Sequence, residues 1–414
     1  MLRAFRNILI LCAFLLGSVT MAAQQADTAR LGFLVRGKVS DARSGRSMEA
    51  VHVSTPGRHH ATVTNADGSF VLKSDREIRT VVFSSLGYKT LRLTVDGPAP
   101  MEVKLVPESL SLQEAVLVSG DPRHIVEMAV DRIWDTYCTE PELLECFYRE
   151  TVQKRQRFTY VAESVARLYK SPYDGGSVYR DGAALEKSRV LVSQRVRDTL
   201  SVKTQGGPYL AIYMDAVKNG DILFSKEELM HYGFEMGQPA YIGDRIQFVI
   251  HVVPRDPFVN YALYNGTLYI DRETLAFTRI ELSLDMTDPS LVTRMVLVRK
   301  PATLRFFPEE VSYIINYRQV DGKARLEYFR STMRFACDWK KRLFKTHYTA
   351  VNELVVTDVR EPANPIARQD QFRSKDILSD KAAEFLDPDF WEGYNIIEPT
   401  ESLEHAIDRL RRGR

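Results

Sequence analysis

Short runs in which apolar and polar residues alternate dominate the chain. Phe33, Val35 and Val39 alternate with Leu34, Arg36, Lys38 and Ser40, so one face of a first strand is largely polar. Val51 and Val53 open a second strand, and Ala61–Thr64 leads into Asn65-Ala66-Asp67-Gly68, where Asp-Gly tolerates the positive φ of a tight turn. Phe70 and Leu72 resume the inward pattern, and Val81–Phe83, Leu91–Val95 and Val103–Leu105 follow. Six or seven short strands in about 75 residues, punctuated by turns, predict a β-sandwich.

A helical interlude comes next. Pro122 suits a first helical turn, and Val126, Val130, Ile133, Trp134 and Tyr137 form an apolar stripe at helical spacing. Phe147–Val152 and Arg157–Lys170 then read as two long strands, with another over Leu185–Arg197 and a short helix over Tyr209–Val217 after the Gly206-Gly207-Pro208 break. Strands are predicted at Arg245–Val253, Asn260–Ile270, Ala276–Asp285, Arg294–Arg299, Glu310–Arg318, Ala324–Phe335 and Phe344–Val356, with a bulge or bend at Asn265-Gly266 and a hairpin at Ile270–Leu275. A polar tail with Phe385, Phe390, Trp391 and Tyr394 precedes a helix at Glu401–Arg411, striped by Leu403, Ile407 and Leu410. The aromatic cluster is expected to strap across the sheet. The pattern lacks the βαβ alternation of nucleotide-binding and hydrolase folds and predicts a mainly β chain, a sandwich followed by a larger antiparallel sheet with a few helices.

Composition adds a compartment. The 414 residues are 44% hydrophobic and 27% charged, a globular balance. Arg3 and Arg6, the apolar run Ile8–Leu16 and small residues up to Ala23 make a secretory leader, with cleavage after Ala22 and Ala23 as the alternative. The apolar run is too short to span a bilayer, which takes about 20 residues, so no transmembrane helix is expected in the mature chain. Leu11 before Cys12 is not a lipobox. Losing Arg3 and Arg6 takes the net charge from +2 to zero, and with it any charge argument for nucleic acid. Export leaves Cys138, Cys146 and Cys337; an oxidising compartment permits a Cys138–Cys146 bridge, and three unlinked buried thiols are the ordinary alternative.

Val35-Arg-Gly37-Lys-Val39-Ser-Asp41, Ala50-Val-His-Val53, Thr64-Asn-Ala-Asp67-Gly68-Ser-Phe70 and Leu86-Gly87-Tyr88 occur in that order. In these blocks the segment resembles the carboxypeptidase-regulatory-like domain, a seven-stranded transthyretin-like β-sandwich at the front of many Gram-negative envelope proteins. The resemblance implies a periplasmic or outer-membrane-associated location and a binding or scaffolding role without catalysis. Gly37, Asp41, Asp67, Gly68, Phe70, Gly87 and Tyr88 are its structural signature: Gly37 and Gly87 relieve crowding, Asp67-Gly68 turns the chain and Phe70 plugs the core. Pro107–Gly120, with Leu110-Ser-Leu112-Gln-Glu114-Ala-Val116-Leu-Val118, resembles the segment that follows this module elsewhere. The expected division is a leader at 1–22, the module at 33–106, linker and helix at 107–146, the antiparallel domain at 147–358 and the tail at 359–414. The passage around Gly266–Asp271 is similar to lipoprotein-carrier-like curved sheets, which cradle acyl chains.

Candidate chemistry is sparse. His124-Ile-Val-Glu127 matches the His-x-x-Glu of zinc carboxypeptidases, with His251 at a distance where a third ligand could come; yet His124, Glu127, Asp131 and Asp135 share a helix face opposite the apolar stripe, which describes a solvated surface. His59 and His60 are neighbours whose side chains diverge. Glu150 and Glu163, beside Tyr148 and Arg149, are candidate paired carboxylates, although charged residues on a strand's outer face are the ordinary case. No Gly-x-x-x-x-Gly-Lys-Ser/Thr, Gly-x-Ser-x-Gly or His-Glu-x-x-His string occurs. No catalytic residue, cofactor or metal is assigned. The expected function is non-enzymatic binding of an envelope protein or of an apolar or lipid ligand; the alternative is a hydrolase assembled from scattered residues such as His231, Asp244, His251 and Asp256.

Overall fold

The computed structural model describes residues 32–57, 60–108, 120–174, 177–193, 202–256, 259–339, 344–360, 364–381 and 394–412. The leader, His59, the Leu110–Val118 segment, Phe385, Phe390 and Trp391 lie outside the described residues.

The first seven strands are β1 (Phe33–Asp41), β2 (His52–Ser54), β3 (Ala61–Val63), β4 (Ser69–Ser74), β5 (Thr80–Ser84), β6 (Leu91–Thr94) and β7 (Met101–Leu105). They form two sheets, β4-β1-β7 and β3-β2-β5-β6. Alternation puts Val35, Val39, Phe70, Leu72, Val103 and Leu105 of one sheet against Val53, Val81 and Phe83 of the other, with Phe70 edge-on to Phe83 at 5.4 Å. Burying such side chains contributes about 1.5–3 kcal/mol each. Phe33, expected to face inward, is 46% exposed because the core begins only at Val35.

The second unit is one antiparallel sheet. Its strands are β8 (Glu142–Lys154), β9 (Arg157–Lys170), β10 (Gly182–Val192), β11 (Tyr232–Met236), β12 (Ala240–Ile242), β13 (Arg245–Pro254), β14 (Tyr264–Asp271), β15 (Phe277–Leu284), β16 (Leu304–Val320), β17 (Lys323–Trp339) and β18 (Thr346–Arg360). Their order is β10-β9-β8-β18-β17-β16-β15-β14-β13-β11, with β12 also on β13. The pairings join sequence neighbours except at two places: β18 joins β17 to β8, and β11 pairs with β13 across β12. The helices are α1 (Pro122–Asp131), α2 (Ile133–Thr136), α3 (Tyr209–Tyr213), α4 (Lys226–Leu229), α5 (Pro289–Val296), α6 (Leu378–Lys381) and α7 (Glu401–Arg412).

Several sequence expectations are corrected. Arg294–Arg299 is not a strand; α5 occupies its first half, because Asp288 accepts from the Ser290 N–H as N-cap and Pro289 sits in the first turn. Gly266 marks no bulge: it pairs in regular register with Leu282 and Val252, and a Cβ there would strike the Glu281 carbonyl. The expected helical stripe breaks after Asp131, so Trp134 is 56% exposed while Ile125, Val126, Ala129 and Tyr137 are buried. Cys138, Cys146 and Cys337 are free and buried, with no bridge between the first two.

The two units are joined by the tail. Asn395 exchanges two hydrogen bonds with the backbone of Lys73 (2.7 and 2.9 Å), as a neighbouring strand would. Thr62 Oγ1 donates to the Ile396 carbonyl and Asn65 Nδ2 to that of Pro399. Val63 of the sandwich, Phe147, Val165, Tyr328 and Val355 of the sheet, and Ile396 and Ile397 of the tail share one apolar cluster. Leu403, Ile407 and Leu410 of α7 close on Val161 and Leu191.

Candidate binding face

Strand alternation gives the large sheet two faces of different character. Its outer face meets the sandwich and tail over β8–β10, β17 and β18, and turns Thr267, Glu281 and Ser283 outward beyond them. The inner face carries the main core. It is covered by α1, by Tyr173 and Val178, by α3 and the segment to Phe234, by Val292 of α5, and by Phe372 and Leu378.

One row of this inner face is polar. Register aligns Tyr313 (β16), Ser331 (β17), Asn352 (β18), Glu150 (β8) and Ala162 (β9) as successive cross-strand partners. The flanking rows are mostly apolar, with Phe329 and Leu354 on one side and Met333, Ala350 and Val152 on the other. Ser331, Asn352 and Glu150 are all buried. Tyr148 donates to Glu150 Oε1 at 2.9 Å and Tyr160 to Oε2 at 3.1 Å. Burial pushes the Glu150 carboxyl up to about 7, against those phenols, which favour its charged form. Asn352 Oδ1 is enclosed and meets no donor among the described residues. At the β16 end the row is less covered: Tyr313 and Met333 are half-buried and Tyr213 of α3 is 45% exposed. Burial and the nearby Tyr213 phenol push Tyr313 up to about 12.

Glu150 and Glu163 are therefore not a pair. Glu163 lies on the outer face, where Arg149 Nε and Arg189 Nε donate to its two oxygens at 2.8 and 2.5 Å. Burial alone would raise this carboxyl; the two guanidiniums hold it below the usual range. It is not the solvated strand residue expected, since the tail covers it and Arg149 also donates to the Ile397 carbonyl at 2.7 Å.

A second buried cluster was not legible in the sequence. Lys170 Nζ contacts Asp181 and Asp215 at 2.7 and 2.8 Å, and Tyr173 and Tyr317 donate to Asp215 at 2.7 Å. Lys218 reaches Asp181 at 2.7 Å and Ser171 Oγ at 2.9 Å. Burial and the Lys170 charge bring Lys218 down to about 8. A serine beside a low-pKa lysine resembles a nucleophile and its base, but Ser171 donates its proton to Asp181 (2.7 Å) and the Lys218 side chain is 0% exposed. The cluster ties the Ser171–Asp181 loop and the α3–β11 segment to the sheet. That is a structural task.

The other candidates separate. His231 Nδ1 and Asp256 Oδ2 do meet, at 3.0 Å, next to Tyr261 and Glu228. His251 instead faces Thr267 (3.2 Å), and Asp244 contacts Arg92 of the sandwich (3.4 Å). His124 and Glu127 are exposed on α1, and His60 pairs with Asp75 at 3.0 Å. Among the described residues no group of three or more His, Cys, Asp or Glu could hold a metal ion. In the module, Tyr88 donates to Asp41 at 2.8 Å. The Ser44 backbone N–H, the Tyr88 phenol and the Ser44 hydroxyl hold Asp41 down at about 2. Phe70 is in the core and Gly37 backs onto Met101 with no room for a Cβ. Gly68 turns at φ 76°. Gly87 relieves no crowding: space around it is open, and its φ of 77° is the requirement. Its N–H donates to the Tyr241 carbonyl of β12. Asp67 accepts from the Glu401 N–H at the start of α7, beside a recess of about 470 Å³ lined by Lys38, Ser69, Glu398 and Glu404 among others.

Residues 35–118 match the CarboxypepD_reg-like domain, so the sandwich is that module. No curated protein matches the chain. Among solved structures, a domain described as a candidate outer membrane lipoprotein-sorting protein from Vibrio parahaemolyticus aligns at 12% identity and TM-score 0.26, over 60% of this chain and 95% of that one. A LolA superfamily protein from Nitrosomonas europaea aligns at 13% identity and TM-score 0.21, over 60% and 96%. The MucA/MucB complex of Pseudomonas aeruginosa aligns at 13% identity and TM-score 0.19, over 58% and 99%. Likeness at these TM-scores carries nothing about function to this chain. Among the described residues no helix is long and apolar enough to cross a membrane.

Proposed function

We propose that the chain is a non-enzymatic binding protein of the cell envelope, exported by a cleaved leader, whose large sheet holds an apolar or lipid ligand on its inner face. The observation that carries this reading is a largely apolar sheet face covered by short helices and segments and crossed by a buried polar row through Ser331, Asn352 and Glu150. Binding sites commonly have that composition, an apolar lining with a few placed polar groups. The CarboxypepD_reg-like module and the tail brace the opposite face, which suits a scaffolding part. We divide the chain accordingly into leader (1–22), module (33–106), linker and helix (107–146), sheet domain (147–358) and tail (359–414).

Native mass spectrometry of the mature chain purified from its own envelope tests the reading. A co-purifying lipid or acyl species supports it; a chain that carries only a protein partner replaces the cradle with a scaffold. One observation favours hydrolysis as a second reading, the His231–Asp256 pair at 3.0 Å. A fluorogenic hydrolase panel showing turnover that His231→Ala removes would establish it.

A further inference from the structure

Asn352 stands in the middle of the inner-face row, 6% exposed, and its carbonyl oxygen meets no donor among the described residues. Buried amide acceptors are rarely left so, because the oxygen gives up its water and gains nothing in return. Its cross-strand neighbours are Ser331 on one side and Glu150 on the other, at the 4.5–5.5 Å or so typical of facing residues. Glu150 is held by Tyr148 and Tyr160, both donating to it. Neither neighbour donates to Asn352 Oδ1, and none of the five residues aligned in the row is basic. A ligand end that only accepts hydrogen bonds leaves that oxygen unsatisfied. An end that donates satisfies the orphaned oxygen.

The surroundings set the rest of the ligand. Met333 and Ala350 flank the row, and cover thins toward the half-buried Tyr313 and Met333. We infer that the inner face selects an amphiphile whose polar end donates a hydrogen bond, a hydroxyl or an amide N–H, to Asn352, with its apolar body along Met333 and Tyr313. This rests on the apolar-ligand reading above and adds the chemistry of the polar end.

The test uses three single-chain probes against the whole mature protein by titration calorimetry: dodecan-1-ol and dodecanamide, which donate, and methyl dodecanoate, which only accepts. The expected result is that both donors bind about tenfold more tightly than the ester, as one hydrogen bond to a buried acceptor predicts. In Asn352→Leu the preference should vanish while ester binding remains. Equal affinities in the wild-type chain, or a preference that survives Asn352→Leu, overturn the inference and leave the apolar-ligand reading standing. Binding of none of the three overturns both. Should Asn352→Leu fail to fold, Asn352→Ala takes its place, and the wild-type ranking decides on its own if neither folds.

Discussion

Replacing Glu150 by Gln keeps the side chain's shape and one of the two oxygens that accept from the Tyr148 and Tyr160 phenols, while removing its titration. In the folded chain burial raises this carboxyl from 4.5 to about 7. Between those values folding takes up a proton, so stability falls as pH rises through the window and is flat above it. At 1.36 kcal/mol per pH unit of displacement, the ionised carboxylate lowers stability by about 3 kcal/mol at pH 8 relative to pH 4. Glu150→Gln does not suffer that loss. The difference in stability between variant and wild type should therefore widen by about 3 kcal/mol in favour of the variant from pH 4 to pH 8. Urea unfolding followed by far-UV circular dichroism and intrinsic fluorescence at four or five pH values reads this directly. Comparing two chains at each pH cancels the titration of every other group. A difference that stays constant across the range would refute the reasoning, because Glu150 would then ionise as in water and the inner face would not be closed around it.

Glu163→Gln leaves Arg149 and Arg189 buried without a counter-charge and should lower stability by about 3–5 kcal/mol; a thermal melt displaced by less than a degree contradicts the buried triad. Asn395→Ala removes both hydrogen bonds to Lys73 and should cost about 1–2 kcal/mol, with faster amide exchange localised to β4; unchanged exchange there means the tail is held by its apolar contacts alone. Burial raises the Cys138 thiol to about 12 and Cys337 to about 11, and pushes Cys146 well above its ordinary value, so alkylation at pH 8 should be slow in the native chain. After unfolding without reductant all three should react; a Cys138–Cys146 pair that still resists shows a bridge.

The module was readable because its determinants are local. The Asp67-Gly68 turn, the alternation around Val35 and Val39, and the inward Phe70 lie within a few residues of the contacts they make. For the same reason the long strands from β13 onward stand close to where alternation put them. Errors arose where a local signal of another kind outweighed alternation, as at α5, where Asp288 and Pro289 start a helix in a run of apolar residues. Gly266 carries no local signal of its role, because the need it answers comes from a different strand.

Alternation along each strand determines, without any structure, that the chain is mainly β and that one face of each strand is apolar. It cannot determine which strands become neighbours. Glu150 and Asn352 are 202 positions apart and meet only because β18 inserts beside β8. Lys170 and Asp215 are brought together by a segment that crosses the sheet. Likewise Glu163 is buried only because a tail more than two hundred residues away lies over it. Periodicity acts within one strand, whereas a site made across strands depends on register and order, which come from packing the whole sheet against its two covers.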